Sequence, residues 1–256
     1  MKSNLSYILI YLKSFFFFFS FLAIISCSNH TEPPAVISGS SGSSNTNVNQ
    51  DAMDTGKITY LALGDSYTIG ESVAPTDRFP AQLVKMLQKE NVNVQSPDIV
   101  AVTGWTTSNL LNALQSEQLK HNYTFVTLLI GVNNQYQGRS LDEYRTQFSR
   151  LLDSAIHFAG GIKNNVFVLS IPDYSVTPFA SGSDQKNIAM QIDEFNAANQ
   201  LISENYGVQY LNITGISREV KSDPGLVAPD GLHPSAEQYM RWDQLLAPMV
   251  LSVLKN

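Results

Sequence analysis

The sequence predicts an α/β fold, a three-layer α/β/α sandwich around a mostly parallel five-stranded sheet. Short apolar runs alternate along the chain with longer segments whose apolar residues recur at helical spacing. Strands that are covered on both faces read as unbroken apolar runs, and parallel neighbours need a crossover that is usually a helix. The alternation begins near residue 57 and continues through the 256-residue chain, so one domain of about 200 residues is expected.

The compact apolar runs are long enough for strands and too short for helices. In chain order they lie at Ile58–Leu63, Asp98–Val102, Phe125–Ile130, Val166–Ile171 and Val208–Ile213. Helical spacing predicts helices over Phe79–Lys89, Ser108–Leu119, Leu141–Phe158, Ile188–Tyr206 and Ala236–Leu254. In open sheets of this class the ligand crevice lies outside the carboxyl ends of the strands, so functional residues are expected directly after them.

The composition limits which partners the protein can bind and excludes disulfides and Cys-rich metal sites. The 22 Asp and Glu residues outnumber the 16 Lys and Arg residues, which gives a formal net charge of -6 at pH 7. Binding to nucleic acid requires a phosphate-neutralising surface, so nucleic acid is not expected as a partner. The single cysteine excludes an internal disulfide and a Cys-rich zinc site. With 43% hydrophobic and only 15% charged residues, the composition suits a secreted protein.

The first 26 residues have the pattern of a signal peptide. Two lysines and no acid precede the almost unbroken apolar run Phe15–Ile25, which has the length of a signal-peptide core. The run ends in Ile24-Ile25-Ser26-Cys27, which resembles the lipobox of bacterial lipoproteins, where a lipidated Cys becomes the mature N-terminus. The alternative is an uncleaved anchor that would place Lys13 in the hydrocarbon, at a cost of about 3 kcal/mol. Cleavage before Cys27 and lipidation of Cys27 are therefore expected.

Residues 27–56 form a predicted tether. Ser, Gly, Asn, Thr and Pro make up 18 of the 29 residues from 28 to 56. Such a segment buries too little apolar surface to offset the entropy of ordering it, so flexibility is expected. The folded domain, residues 57–256, is then expected to be extracytoplasmic, at the outer membrane or in the periplasm of a bacterium. Its N-terminal lipid would be its only attachment to the membrane.

The first strand is followed by a turn that suits a nucleophile. In Gly64-Asp65-Ser66-Tyr67-Thr68-Ile69-Gly70, Ser66 lies where a strand passes into a helix, beside the N–H groups of the helix start. The alternative is that Ser66 only caps that helix, since Ser and Asp are preferred there. Thr68 stands where the Gly-x-Ser-x-Gly elbow of ordinary α/β-hydrolases has its second glycine, which indicates a different architecture.

A nucleophilic serine needs a base, and the base needs a group that orients it. His233 lies between the last strand and the last helix, on the same side of the predicted sheet as Ser66. Asp230, in a turn that contains Gly231, can fold its carboxylate onto one imidazole nitrogen while the other faces outward. The alternative is that Asp230 and Ser235 cap the helix and that His233 is exposed.

Taken together, these motifs resemble those of the GDSL-type, or SGNH, hydrolases. Gly64-Asp65-Ser66 and Asp230-x-x-His233 match the first and last blocks of that family. The middle blocks, a Gly after the second strand and Gly-x-Asn-Asp after the third, have counterparts in Gly104 and Gly131-Val132-Asn133-Asn134. Asn134 replaces the usual Asp, which removes a charge but keeps hydrogen-bonding capacity, and does not indicate lost activity.

The resemblance implies a flavodoxin-like SGNH hydrolase fold and a serine ester hydrolase that needs no metal or organic cofactor. Ser66 would attack an ester carbonyl, and His233 would take its proton and return one to the leaving alcohol. Asp230 would hold the imidazole. The oxyanion would accept hydrogen bonds from the backbone N–H groups of Ser66 and Gly104 and from the Asn133 side-chain amide.

The motifs leave the substrate open. A small acyl ester or a lysophospholipid is expected, with an acetylated glycan as the alternative, and transfer of an acyl group to an alcohol could use the same residues. A non-catalytic surface-binding lipoprotein is a further alternative, against which the presence of Ser66, Asp230 and His233 argues.

The residues beside the motifs receive structural interpretations. Asp65 is expected to brace the turn rather than to react. A metal site at Asp65, Asp230 and His233 would leave Ser66 and Asn133 without a role, so none is expected. The neighbouring aromatic residues are expected to pack, with the lining of an acyl or sugar pocket as the alternative; they are Tyr67, Trp105 and Tyr136.

Overall fold

The strands of the computed structural model, which describes residues 56–116 and 119–255, form one parallel sheet. They are β1 (Tyr60–Gly64), β2 (Asp98–Ala101), β3 (Phe125–Leu129), β4 (Val166–Leu169) and β5 (Gln209–Leu211). Their order across the sheet is β2-β1-β3-β4-β5. Every residue of β1, β3 and β4 is buried, as a sheet covered on both faces requires. The predicted signal peptide, Cys27 and the tether up to residue 55 lie outside the described residues.

Helices flank this sheet in two groups. They are α1 (Ser66–Ile69), α2 (Phe79–Lys89), α3 (Thr107–Ser116), α4 (Val132–Tyr136), α5 (Leu141–Phe158), α6 (Gln185–Tyr206), α7 (Thr214–Arg218) and α8 (Ala236–Leu254). The chain steps from β1 to β2 in one direction and then to β3, β4 and β5 in the other, so right-handed crossovers place α2 opposite α3, α5 and α6. The contacts agree, because α2 packs on α8 while α5 packs on α3 and α6. The predicted α/β/α sandwich is confirmed, with a sheet that is entirely parallel.

All five strands are shorter than the predicted runs, by one residue for β1, β2 and β3, by two for β4 and by three for β5. Ile58 lies outside β1 because it pairs with Val94 in an isolated bridge. The predicted strand Val208–Ile213 is reduced to β5, because the backbone N–H of Ile213 donates to Ser170 Oγ at 2.8 Å instead of joining the ladder. Side-chain acceptors at the sheet edge therefore end strands that the apolar pattern alone would extend.

Helix α6 begins earlier than the predicted Ile188. Asp184 accepts the backbone N–H of Asn187 at 3.0 Å, and this cap starts the helix at Gln185. The start of a helix at Ser66 is confirmed by α1, whereas the short helices α4 and α7 are not predicted, since five residues show no helical period. Two of them, α1 and α4, directly follow β1 and β3 at the carboxyl edge of the sheet. Within residues 56–116 and 119–255, no helix is both long and apolar enough to cross a membrane.

Candidate active site

Ser66 is the first residue of α1, directly beyond the carboxyl end of β1. Gly64 makes this close turn possible, because a Cβ at that position would lie 2.1 Å from Thr68 Oγ1 and 2.4 Å from the Leu129 carbonyl oxygen. Asp65 caps the helix by accepting the backbone N–H of Tyr67 at 3.0 Å. The turn thus fixes the backbone of Ser66, whose side chain lines a cleft and is only 5% exposed.

Asp65 itself is buried beneath this turn. Burial raises the pKa of its carboxyl to about 7, while the hydrogen bond from the backbone N–H of Tyr67 acts in the opposite direction. Asp65 therefore holds the turn after β1 through its Oδ1 atom. This arrangement agrees with the predicted bracing role.

Asp230 and His233 form a tightly bonded pair in the loop before α8. His233 Nδ1 lies 2.5 Å from Asp230 Oδ2, and Asp230 Oδ1 accepts the backbone N–H groups of Leu232 at 2.9 Å and of His233 at 3.0 Å. Partial burial raises the pKa of Asp230, but hydrogen bonds from His233, Ser72 and those two N–H groups together hold it well below its usual range. The carboxylate is therefore charged at neutral pH and orients the imidazole.

The imidazole ring of His233 lines the cleft. Because Nδ1 is bonded to Asp230, Nε2 is the nitrogen that can accept a proton from a group in the cleft. The ring packs edge-on against Tyr67 of α1, with 5.7 Å between the ring centroids, and His233 is only 7% exposed. The alternative that Asp230 caps α8 and that His233 is exposed is wrong. Ser235 alone caps the helix, accepting the backbone N–H of Gln238.

Gly104 and Asn133 complete the cleft from the turns after β2 and β3. Gly104 has φ +84°, a conformation that favours glycine, although a Cβ there would meet no atom within 4 Å. Asn133 belongs to α4, and its Nδ2 donates to the backbone carbonyl of Trp105 at 3.0 Å. One amide proton thus ties Asn133 to the Gly104 loop, and the other is left for the cleft, which both residues line.

The structure brings the sequence-predicted residues to one place. Ser66, Gly104, Asn133 and His233 all line a single cleft of about 150 Å³ at the carboxyl edge of the sheet, and Asp230 is bonded to His233 behind it. In the described part of the chain, no three His, Cys, Asp or Glu side chains are grouped as metal ligands would be.

Asn134 has a structural role that explains the departure from the family pattern. It is fully buried, its Oδ1 accepts the backbone N–H of Thr107 at 3.0 Å, and its Nδ2 donates to Thr107 Oγ1 at 2.7 Å. The side-chain amide thus joins the turn after β3 to the start of α3 with one acceptor and one donor. A carboxylate could accept the backbone N–H but could not donate to the Thr107 hydroxyl.

Aromatic side chains form one wall of the cleft. Tyr136 is 60% exposed and Phe179 is 47% exposed, and their ring centroids lie 6.0 Å apart with Tyr174 packed against both. The alternative that Tyr136 lines a pocket therefore holds, although its ring also packs on Tyr174 and Phe179. Tyr67 is buried as expected, although it also contributes to the cleft.

Sequence reasoning missed a set of polar contacts around the cleft. Ser72 Oγ donates to Asp230 Oδ2 at 2.7 Å, and Thr103 Oγ1 donates to Glu71 Oε2. Ser72 and Asp230 are 158 positions apart, and a serine in a polar loop carries no sequence signal for such a partner. Only the folded arrangement shows these contacts.

A parallel α/β/α sandwich whose cleft gathers a serine, an Asp-bound histidine and amide donors has the architecture of a hydrolase. The GDSL-like Lipase/Acylhydrolase family model matches residues 62–241, and the chain belongs to this family. The predicted family is thereby confirmed, and the protein is a carboxylic ester hydrolase. No curated protein matches the sequence.

Solved structures show the same fold at low sequence identity. TesA is 18% identical over 76% of this chain and 99% of its own, with a TM-score of 0.59. The psychrotrophic esterase EstA from Pseudoalteromonas sp. is 16% identical over 77% of this chain and 99% of its own, with a TM-score of 0.55. Axe2, an acetylxylan esterase from Geobacillus stearothermophilus, is 20% identical over 78% of this chain and 94% of its own, with a TM-score of 0.55.

Proposed function

We propose that this ester hydrolase uses Ser66, His233 and Asp230 as a catalytic triad. The observation that carries the proposal is the 2.5 Å contact between His233 Nδ1 and Asp230 Oδ2, in a cleft that His233 and Ser66 line together. Asp230 fixes the imidazole so that Nε2 can accept the Ser66 proton as Oγ attacks the ester carbonyl. His233 then returns that proton to the leaving alcohol, and a water molecule hydrolyses the acyl-enzyme by the same route in reverse order.

The oxyanion of this reaction is assigned to three donors from adjacent turns. Ser66 and Gly104 offer backbone N–H groups, and Asn133 offers the amide proton that Trp105 does not use. Ser66 begins α1, so its N–H precedes the hydrogen-bond ladder of the helix. Donors fixed before the reaction stabilise developing charge without reorganising, and one such donor contributes about 3 kcal/mol.

The cleft favours a short acyl ester of a neutral alcohol. A volume of about 150 Å³ leaves little room for a long acyl chain. Among the described residues that line the cleft none is Lys or Arg, so a phosphate group would have no cationic partner there. These two features favour a small acyl ester over a lysophospholipid.

A carbohydrate O-acetylesterase is a second candidate, favoured by the exposed rings of Tyr136 and Phe179 at the cleft. Aromatic faces of this kind suit the apolar face of a sugar ring. Replacing Tyr136 by Ala is expected to raise KM for an acetylated xylooligosaccharide severalfold and to leave ethyl acetate hydrolysis unchanged. Leu245→Ala, which removes another exposed apolar side chain, on α8 and outside the cleft lining, is the matched control.

The decisive experiment measures p-nitrophenyl acetate hydrolysis by Ser66→Ala. Loss of turnover is expected, while Ser222→Ala, which removes an exposed hydroxyl bonded to the Glu219 carbonyl, retains it. Undiminished turnover by Ser66→Ala would remove the proposed nucleophile. A preference for octanoate over acetate esters would contradict the short-acyl assignment. Acyl-sugar products formed when a sugar acceptor is added would identify transfer rather than hydrolysis.

We also propose that the hydrolase is an extracytoplasmic lipoprotein, anchored to the membrane through Cys27. The support is the sequence pattern alone, the apolar run Phe15–Ile25 followed by Ser26-Cys27 and the Ser- and Gly-rich tether. Metabolic labelling with a fatty acid is expected in the full-length chain and not in Cys27→Ala. Labelling that persists in Cys27→Ala would refute the anchor.

A further inference from the structure

Two residues that follow α1, Glu71 and Ser72, lie against the backbone of the proposed nucleophile. The Ser66 carbonyl accepts two hydrogen bonds of 3.0 Å, from the N–H groups of Gly70 and Glu71. Gly70 ends α1 in the left-handed conformation, with φ +72°. The chain therefore changes direction at Gly70. The hydrogen bonds to the Ser66 carbonyl fix the start of the segment that carries the side chains of Glu71 and Ser72.

Each of these two side chains reaches a different loop of the cleft. Ser72 Oγ donates to Asp230 Oδ2 at 2.7 Å, and that oxygen is the same one that contacts His233 Nδ1. Glu71 Oε2 accepts a hydrogen bond from Thr103 Oγ1, one residue before Gly104. The segment therefore connects the turn after β1 to the proton-transferring loop on one side and to the Gly104 loop on the other.

The backbone of Ser72 is held in an unfavourable conformation. Its φ is +65°, a left-handed conformation that is unfavourable for a residue with a Cβ. Strain of this kind persists only where surrounding structure determines the conformation, and it concentrates at functional sites. At Gly70 a Cβ would lie 2.4 Å from the Arg78 Cβ, so the loop after α1 is folded closely on itself.

We propose that Glu71 and Ser72 form a positioning bracket, which sets Asp230 and the Gly104 loop relative to Ser66. Neither residue is assigned a chemical step. Ser72 holds the Asp230 oxygen that orients His233, and Glu71 holds Thr103 and thereby the neighbouring Gly104 N–H. This inference rests on the proposed function, because it needs the triad and the oxyanion donors to act as assigned.

Loss of the Ser72 hydroxyl has an electrostatic consequence with a definite sign. A hydrogen bond to a carboxylate stabilises its charge, so removing that bond makes Asp230 a stronger partner for a protonated imidazole. The acid limb of kcat/KM is then expected to move to higher pH. A merely structural defect would lower the amount of folded enzyme without moving the limb.

Other titratable groups lie near Asp230 and His233. Tyr67 of α1 packs on His233, Tyr239 of α8 interacts with Asp230, and Glu71 lies in the bracket itself. Burial raises the pKa of both tyrosines, so they remain neutral in the pH range tested. Burial also raises the pKa of Asp65, to about 7, so each variant is compared with wild type over the same pH range.

The test compares Ser72→Ala and Ser72→Gly with wild type in the full-length enzyme, using p-nitrophenyl acetate from pH 5 to 9. Both variants remove the hydroxyl, but only glycine relieves the φ strain. For both, kcat is expected to fall about tenfold with KM within twofold, and the acid limb to rise by about half a pH unit. Thr76→Ala, which removes another hydroxyl from the same loop, is expected to match wild type.

The Glu71 half of the bracket is tested by a matched pair. Glu71→Gln and Glu71→Ala both remove the charge, but only Gln keeps an acceptor for the Thr103 hydroxyl. A kcat at least fivefold lower for Glu71→Ala than for Glu71→Gln is expected, with similar KM. Equal kcat values for the two would overturn this half of the proposal.

The outcomes separate the bracket from the proposed function. Turnover retained by Ser66→Ala refutes the triad and the bracket with it. An inactive Ser66→Ala together with Ser72 variants that match Thr76→Ala in kcat and acid limb refutes the bracket alone. An acid limb that moves in Ser72→Ala and in Ser72→Gly alike supports it, since strain cannot account for a shift common to both.

Discussion

Replacing Asn134 by Asp, the residue usual in the family, is expected to destabilise this protein. Asn134 Nδ2 donates to Thr107 Oγ1 at 2.7 Å, and Thr107 Oγ1 donates to Gln147 Oε1 at 2.5 Å. Gln147 Nε2 in turn donates to Glu143 Oε1 at 3.1 Å. The hydrogen-bond chain therefore runs in one direction, from the buried amide to a carboxylate that can only accept.

Asn134→Asp removes the first donor of that chain. The single hydroxyl proton of Thr107 must then serve either the new carboxylate or Gln147. Either the buried carboxylate or the half-buried Gln147 carbonyl is left without this donor, at a cost of about 1–3 kcal/mol. Gln147 cannot compensate by rotating its amide, since its carbonyl would then face the Glu143 carboxylate. We expect the variant to lose about 2 kcal/mol at pH 8.

The loss is expected to depend on pH with a definite sign. Position 134 is fully buried, and burial favours the neutral carboxylic acid. At pH 5 the protonated group can again donate to Thr107 Oγ1, so most of the loss should disappear. As pH rises the unfolded chain releases the proton more readily than the folded one, and stability falls.

Urea unfolding of wild type and Asn134→Asp at pH 5 and pH 8 measures this difference. Asn112→Asp, an exposed position on α3, introduces the same charge and is expected to change the free energy of unfolding by less than about 0.5 kcal/mol. A variant as stable as wild type at pH 8, or one whose deficit is larger at pH 5, would refute the argument.

Three further outcomes follow from the same site. Asn133→Ala is expected to lower kcat for p-nitrophenyl acetate about a hundredfold with little change in KM, and a loss below threefold would exclude Asn133 as an oxyanion donor. Because burial raises the pKa of Asp65 from 3.8 to about 7, the unfolded chain ionises first, so this group lowers stability as pH rises from about 4 to about 7. In Asp65→Asn, the free energy of unfolding from urea titrations should no longer fall between pH 4 and pH 7, a difference of up to about 4 kcal/mol from wild type. An unchanged dependence of that free energy on pH would contradict the assignment. A general base accepts the Ser66 proton only in its neutral form, so kcat/KM should fall on acidification, and a rate constant that is flat from pH 5 to 8 would contradict the base assignment.

The sheet could be predicted from the sequence because of how it is buried. Since both faces of β1, β3 and β4 are covered, their residues are apolar except for Thr127, whose hydroxyl is hydrogen-bonded to that of Tyr60. The long helices α2, α5 and α8 match their predicted bounds, because their apolar spacing repeats over several turns. The short helices α1 and α4 repeat nothing and depend on the turns that precede them.

The residues of the site that belong to motifs directly after the strands could be predicted from the sequence, and the residues outside those motifs could not. Ser66, Gly104, Asn133 and His233 lie at the carboxyl edge because parallel strands all end there. Ser72 reaches Asp230 only through a left-handed backbone conformation that no local pattern indicates. The exposure of Tyr136 opposes the average preference of aromatic residues for the interior, so that preference does not predict the position of Tyr136 in the cleft.

The strand order has a consequence for how such a site can be altered. Ser66, Gly104 and Asn133 follow β1, β2 and β3, three strands paired side by side, whereas Asp230 and His233 arrive together on a single segment beyond β5. The proposed oxyanion donors and the proposed acid–base pair thus lie on separate segments of the chain. Redesign of the segment beyond β5 is therefore expected to alter the acid–base pair while the turns after β1, β2 and β3 keep their arrangement.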